Sequence, residues 1–100
     1  MEKRKPHYSL VEIKQRVARL GSQAFTATAK NGGKAMGLGV ALMLAVIDGL
    51  SGKCFYKSIT TARDPKIWQD AYHADTPNGM VYIKFTLRTD GTIVISFKRL

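Results

Sequence analysis

The chain has 100 residues, enough for one modest hydrophobic core and a single domain over residues 1–100. Its 16 Lys and Arg residues outnumber seven Asp and Glu residues, and the net charge of +9 indicates a polyanionic partner such as RNA, DNA or an anionic membrane surface. The longest apolar run, Ala35 to Ile47, has 13 residues and is too short to span a bilayer, so no membrane partner is expected. A single cysteine, Cys54, excludes an internal disulfide and a cysteine cluster for zinc, and it favours a reducing cytoplasm.

The first predicted element is a helix from Leu10 to Leu20. Ser9 and Glu12 form the S-x-x-E pattern of a capping box at its start, and Gly21 supplies a stop at its end. Apolar residues recur at spacings of three and four, which places them on one face of the helix: Leu10, Ile13, Val17 and Leu20. Basic residues occupy the other side and predict a cationic outer surface: Lys14, Arg16 and Arg19.

The middle of the chain has weaker signals. Residues 22–29, SQAFTATA, are predicted as a short strand, and the glycine-rich segment KNGGKAMGLG, residues 30–39, as a loop. This loop is not a phosphate-binding loop, because Thr28 and Ala35 stand where a Walker A motif requires glycine and Ser or Thr. The segment VALMLAVIDGLS, residues 40–51, is apolar on all sides, which predicts a buried helix that ends at Asp48-Gly49 or Ser51-Gly52.

After residue 53 the apolar period changes from 3.6 to two. Four segments therefore have the pattern of strands: CFYKSITT (54–61), KIWQDAYH (66–73), VYIKFTLR (81–88) and TIVISFK (92–98). Helices followed by antiparallel strands predict an α+β domain in which N-terminal helices pack on a C-terminal antiparallel sheet.

The turn between the last two strands decides which side chains face each other. A two-residue Asp90-Gly91 turn would place the two apolar rows on opposite faces of the sheet. A three-residue loop over 89–91, with glycine in the left-handed position of a G1 bulge, aligns the rows and sets Phe85 opposite Ile95. We therefore predict this register, which gives two pairs on the other face: Tyr82 with Lys98, and Lys84 with Ser96.

The residue types exclude several kinds of site. The two histidines and two glutamates have no metal-binding spacing, so neither a metal nor another cofactor is expected, and no nucleophile triad is present. Strands rich in Lys, Arg and Tyr suit RNA binding, and they also suit RNA cleavage because fixed cations stabilise charge on a phosphorane. By themselves the residues favour a non-catalytic RNA-binding or translation-regulating domain. A DNA-binding repressor is disfavoured, since the predicted helices do not form a helix-turn-helix.

The segment FYKSITTARDPKIWQDAYH, residues 55–73, together with VYIKFTL and ISFK, resembles the motility quorum-sensing regulator (MqsR) family of bacterial toxins. The opening MEKRKPHYSL and the capped first helix extend the resemblance over nearly the whole chain. The resemblance implies a RelE-like fold and a ribosome-independent, metal-free mRNA endonuclease that prefers GC-containing sites such as GCU. It also implies a cognate antitoxin, expected to be a zinc-binding helix-turn-helix protein, that neutralises the toxin and represses the operon.

The family's functional residues fall on four positions of this sequence: Lys57, Gln69, Tyr82 and Lys98. On this resemblance, Lys57 and Lys98 are expected to stabilise the transition state, and Tyr82 to donate or accept a proton. Gln69 is expected to act as a positioning donor. Further RNA contacts are expected from side chains on and beside the basic strands: Arg63, His73, Lys84 and Arg88.

Strand periodicity supports half of the catalytic set, because Tyr82 and Lys98 oppose each other in the predicted register. Lys57 shares the parity of the apolar residues in its strand, so it lies either on the apolar row or, through a bulge, on the polar face. The segment around Gln69 has no clean alternation and assigns this residue no face. His73 stands where members of the family tend to carry arginine.

Overall fold

The computed structural model describes residues 1–100, in which three α-helices cover one face of a five-stranded antiparallel sheet. The helices are α1 (Leu10–Leu20), α2 (Ala27–Ala35) and α3 (Val40–Asp48). The strands are β1 (Glu2–Lys3), β2 (Phe55–Thr60), β3 (Trp68–Thr76), β4 (Gly79–Leu87) and β5 (Ile93–Arg99), and they lie side by side in chain order. The predicted α+β architecture is confirmed. None of the three helices has the length and hydropathy needed to cross a bilayer.

Helix α1 has the boundaries that the sequence predicts. The Ser9 hydroxyl oxygen accepts a hydrogen bond of 3.2 Å from the backbone N–H of Glu12, and Gly21 adopts a φ of 58° at the other end. Ile13 and Val17 are buried in the hydrophobic core. The apolar face of α1 therefore packs toward the sheet.

The strand predicted over residues 22–29 is wrong. A 3-10 turn covers Gly21–Ala24, and α2 begins at Ala27. The Thr26 hydroxyl caps this helix by accepting a hydrogen bond of 3.1 Å from the backbone N–H of Ala29. A side-chain cap and the high helix propensity of alanine favour a helix start here over the predicted short strand.

The loop predicted over residues 30–39 is also wrong in its first half, which continues α2. A Cβ atom at Gly32 would collide with the backbone carbonyl oxygen of Phe97 in β5, and one at Gly33 would collide with the side chain of Met43. These two glycines therefore serve close approach of α2 to its neighbours and not a turn.

Helix α3 ends at Asp48, one of the two predicted stops, but it is not buried on all sides. Met43 and Ile47 are fully buried, whereas Leu42 is 44% exposed. One row of α3 enters the core and the opposite row remains at the surface. Uniform apolar composition could not distinguish these rows, and apolar side chains are common on protein surfaces.

The four predicted strands are present, and the predicted register of the last hairpin is confirmed. Phe85 pairs with Ile95, and the loop between β4 and β5 places Gly91 at a φ of 91°. The N–H of Gly91 donates a hydrogen bond of 2.9 Å to the carbonyl oxygen of Arg88. The apolar residues of β3, β4 and β5 consequently form one continuous row against the helices: Tyr72, Ile83, Phe85, Ile95 and Phe97.

Strand β1 is absent from the predicted elements, because two residues are too few to show a period. It pairs antiparallel with Ser58 and Ile59 at the edge of the sheet. The connection from β1 to α1 is fixed by Asp70, a fully buried residue whose carboxylate accepts hydrogen bonds from the backbone N–H groups of His7 and Tyr8. The segment before α1 is thereby held against β2 and β3.

Candidate active site

The face of the sheet opposite the helices carries the polar side chains. Residues paired across neighbouring strands share a face, and the register places these groups together: Lys57–Ala71–Lys84–Ser96, His73–Tyr82–Lys98, Ile59–Gln69 and Thr86–Val94. All four residues that the resemblance implied as catalytic therefore lie on one face. The central group is named here the lysine–tyrosine face and consists of Lys57, Tyr82, Lys84 and Lys98.

Tyr82 and Lys98 are opposite partners, as the register predicted. The Lys98 Nζ atom lies 5.7 Å from the centroid of the Tyr82 ring. Both residues line an open depression of ≈ 320 Å³ that Lys84 also borders. A phenol and two ammonium groups can therefore bind the same anion. The lysines donate charged N–H groups and the tyrosine donates a neutral O–H group.

Lys84 occupies the middle of the lysine–tyrosine face, although the sequence predicted it only as an RNA contact. Its neighbours across the sheet are Ala71 and Ser96, two small side chains that leave space around the ammonium group. Burial lowers the pKa of Lys84, and the positive charge of Lys98 lowers it further. A lowered pKa brings proton exchange by this lysine closer to neutral pH.

Lys57 reaches the polar face through a β-bulge, so the second of the two predicted alternatives is correct. The register shifts after Phe55, which pairs with Tyr72 on the core face, whereas Lys57 pairs with Ala71 on the polar face. Neighbouring strands are about 4.8 Å apart, so the backbones of Lys57 and Lys84 are separated by roughly 10 Å across Ala71. Two lysine side chains can reach one phosphate between them.

Gln69 lies on the same face but apart from the Tyr82–Lys98 pair. It lines an open cavity of ≈ 290 Å³ between the β2–β3 connection and the end of β4. Arg63 and Arg88, both predicted RNA contacts, line this cavity as well. The structure therefore brings the predicted residues together in two neighbouring groups: the lysine–tyrosine face, and Gln69 with two arginines.

His73 lies between two tyrosine rings. Its ring stacks on Tyr56 with centroids 4.3 Å apart, and the centroid of Tyr82 is 5.4 Å away. The Nε2 atom of His73 is buried and has no hydrogen-bond partner. Tyr56 is 40% exposed, so it is the ring of this trio with most surface available for contact with another molecule.

Two residues of this face were missed by sequence reasoning. Tyr56 is the extra residue of the bulge, and it lies on the polar face beside His73, where the sequence analysis gave it no role. Glu2 stands in β1, and its carboxylate lies 3.3 Å from the Nζ atom of Lys57. The available signal was the FYKS segment itself, where an aromatic residue adjoins the lysine; Glu2 had no comparable signal.

The fold and the polar face together define the class of the protein, a small basic α+β protein with a cationic sheet surface. The chain belongs to the MqsR toxin family, since residues 5–99 match the family described as "Motility quorum-sensing regulator, toxin of MqsA". It is similar to the mRNA interferase toxin MqsR of Escherichia coli (strain K12), with 42% identity over 98 residues that cover 98% of each chain. The resemblance found in the sequence is confirmed, and the helix layer on an antiparallel sheet agrees with a RelE-like fold.

Proposed function

We propose that this protein is the toxin of a bacterial toxin–antitoxin pair and that it cleaves mRNA as an endoribonuclease. Its residues 1–100 act as one domain, in the cytoplasm, where its substrate is found. The observation that carries the proposal is the convergence of Lys57, Lys84, Lys98 and Tyr82 on one sheet face. The relative in E. coli is named an mRNA interferase, and this name describes the chemistry that such a face suits.

The proposed reaction is an internal transfer within the RNA. The ribose 2′-oxygen loses its proton and attacks the adjacent phosphorus, and the bond from phosphorus to the 5′-oxygen breaks. The departing 5′-oxygen gains a proton, so the products are a 2′,3′-cyclic phosphate and a 5′-hydroxyl. Negative charge grows on the phosphorane oxygens, and cations held in a fixed position stabilise this charge more than they stabilise the substrate.

Each residue of the lysine–tyrosine face has a proposed role in this reaction. Lys57 from β2 and Lys98 from β5 bind the phosphate and stabilise the phosphorane, both from the same face of the sheet. Tyr82 and Lys84 exchange protons with the 2′- and 5′-oxygens; the lowered pKa of Lys84 supports this role. Gln69 orients the nucleotide beside the scissile bond.

RNA beyond the scissile phosphate follows the neighbouring surface. Arg63 and Arg88 hold a flanking phosphate beside Gln69, in the cavity that the three residues share. His73 supports the aromatic trio, and its partner Tyr56 offers an exposed ring for base stacking. The preferred sites contain GC, such as GCU.

The reaction is proposed to need no metal ion. In support, no group of three or more His, Cys, Asp and Glu side chains lies close enough to hold one. Lysine ammonium groups supply the positive charge that a divalent cation supplies in other nucleases.

A cognate antitoxin, encoded beside the toxin, is proposed to neutralise it. We expect a zinc-binding helix-turn-helix protein that represses the operon, so DNA contacts are made by the antitoxin. On its outer edge, β2 pairs with β1 only at Ser58 and Ile59, so its first three residues have no strand partner there. On its inner edge, the pairing of β2 with β3 ends at the Phe55–Tyr72 pair. This open edge offers backbone groups to which an antitoxin strand can add.

A cleavage assay in EDTA tests the proposal. The purified protein is incubated with a defined mRNA that contains GCU sites, and cleavage is expected at those sites without added metal. RNA binding without cleavage would overturn the endonuclease and favour a translation-regulating RNA-binding domain. Activity that appears only with Mg²⁺ would overturn the metal-free mechanism and leave the nuclease assignment intact.

A further inference from the structure

The first strand contributes a carboxylate to the polar face of the sheet. In β1, Glu2 pairs with Ile59, and Ile59 pairs with Gln69, so Glu2 shares the face that carries Gln69. Its Oε1 atom lies 3.3 Å from the Nζ atom of Lys57. An acidic residue thus contacts a lysine on the surface where an RNA phosphate would bind.

The backbone that carries Glu2 is fixed by several independent contacts. The Nζ atom of Lys3 lies 4.3 Å from the centroid of the Trp68 ring, and the ring of His7 stacks on the same tryptophan at 5.4 Å. The Asp70 carboxylate accepts hydrogen bonds of 2.8 to 3.0 Å from backbone N–H groups at the end of this segment. Glu2 therefore projects from an anchored strand and not from a loose segment.

The contact holds Lys57 from two directions. The Glu2 carboxylate lies on one side of the ammonium group, and the Tyr56 ring centroid lies 5.2 Å away. The side chain of Lys57 is 24% exposed and that of Glu2 is 49% exposed. An ion pair this accessible to water contributes little to the stability of the fold, so its main effect is on where the lysine side chain points.

We propose that Glu2 is a positioning residue for Lys57 in RNA cleavage, an inference that rests on the proposed function. A lysine side chain is flexible, and its ammonium stabilises a transition state well only when its position is fixed beforehand. Glu2 supplies that restraint from β1. Because the carboxylate also repels phosphate, its benefit falls on the chemical step and not on RNA affinity.

The test compares two amide variants, since the chain has two glutamates. Glu2→Gln removes the charge beside Lys57. Glu12→Gln is the matched control, because Glu12 lies on α1, where its carboxylate is 3.7 Å from Arg16. Single-turnover cleavage of a GCU-containing RNA is measured with enzyme in excess, and RNA affinity is measured separately. We expect Glu2→Gln to lower the cleavage rate about tenfold without weakening RNA binding, and Glu12→Gln to match the wild type.

Two further variants separate positioning from a structural role. Glu2→Asp keeps the carboxylate and is expected to recover most of the lost rate. Glu2→Gln added to a Lys57→Gln protein is expected to have no further effect, because Glu2 acts through Lys57. Circular dichroism and the urea midpoint check that each variant is folded.

The results that overturn the inference are distinct from those that overturn the proposed function. If the wild type does not cleave RNA, the proposed function fails. If the wild type cleaves and Glu2→Gln cleaves as fast or faster, Glu2 does not position Lys57. An equal loss from Glu2→Gln in the wild-type and Lys57→Gln backgrounds would also overturn the inference, since it would show an effect that bypasses the lysine.

Discussion

The sheet and the helical layer differ in what determines the neighbours of each residue. In β4 and β5, a period of two assigns each side chain to a face, and one turn then pairs Tyr82 with Lys98 across the two strands. In the helical layer, the decisive contacts join separate elements, as where Gly32 meets Phe97, and no local period encodes them. The half of the molecule that carries the candidate site is thus the half whose geometry follows from local pattern.

The two halves also differ in what a substitution should disturb. The lysine–tyrosine face points away from the core, so changes there should affect activity with little effect on stability. Helix α2 contacts β5 on the core face of the sheet, so substitutions at these contacts should affect stability first. Three predictions test this division.

The largest effect is expected on the polar face. Tyr82→Phe and Lys98→Ala should each lower the rate of RNA cleavage by about 10²- to 10³-fold, because each removes a donor aimed at developing negative charge. Arg19→Ala is the matched control: this exposed cation lies on α1, behind the sheet, and its loss should leave cleavage unchanged. Undiminished cleavage by both site variants, with urea midpoints like that of the wild type, would show that the site is elsewhere.

A smaller free-energy effect is expected at the junction of the two halves. Gly32→Ala should lower the free energy of unfolding by about 2 kcal/mol, because the new methyl group meets the Phe97 carbonyl oxygen and α2 must move away from β5. Gly52→Ala is the control, since nothing lies within 4 Å of a Cβ there, and it should change stability by less than about 0.5 kcal/mol. Urea denaturation measures both. Equal stabilities for the two variants would mean that α2 adjusts without cost.

The smallest expected effect is a pH dependence of stability, and it is caused by a residue of the lysine–tyrosine face. Burial lowers the pKa of Lys84 below its ordinary value of 10.5, so the charged side chain destabilises the folded state at neutral pH. Between the folded pKa and 10.5 the unfolded chain binds more protons, and stability should therefore rise with pH in that window. Lys84→Met lacks this rise. Urea midpoints of both proteins, followed from neutral pH up to the ordinary lysine pKa, should converge as the pH increases; parallel curves would contradict the prediction.

Much of the sheet was predictable because its physics is local. Alternation predicted the four long strands, and the demand for one continuous apolar row selected the three-residue loop at Gly91. The same register sets Tyr82 opposite Lys98, so turn chemistry alone was enough to locate half of the predicted catalytic set. The face of Lys57 was not predictable, because a bulge at Tyr56 breaks the alternation without a distinctive residue to announce it.

The helical layer and the edge of the sheet were less predictable for a different reason. Glycine at 32 and 33 suggested a flexible loop, whereas the helix needs them for close packing against β5 and α3. Residues 22–29 were predicted as a short strand, whereas Thr26 caps the start of α2. Strand β1 has two residues and is held through Asp70, a residue more than sixty positions away, so no local pattern can reveal it.

The pairing of β1 with β2 and of β4 with β5 also constrains when the polar face exists. Glu2 belongs to the first strand of the sheet and Lys98 to the last. Domains fold as units during synthesis, and β5 completes the sheet only after every other strand has been made. A nascent chain therefore carries lysines but no assembled lysine–tyrosine face. In a cell that makes this toxin, the complete cationic surface forms only once β5 has been translated.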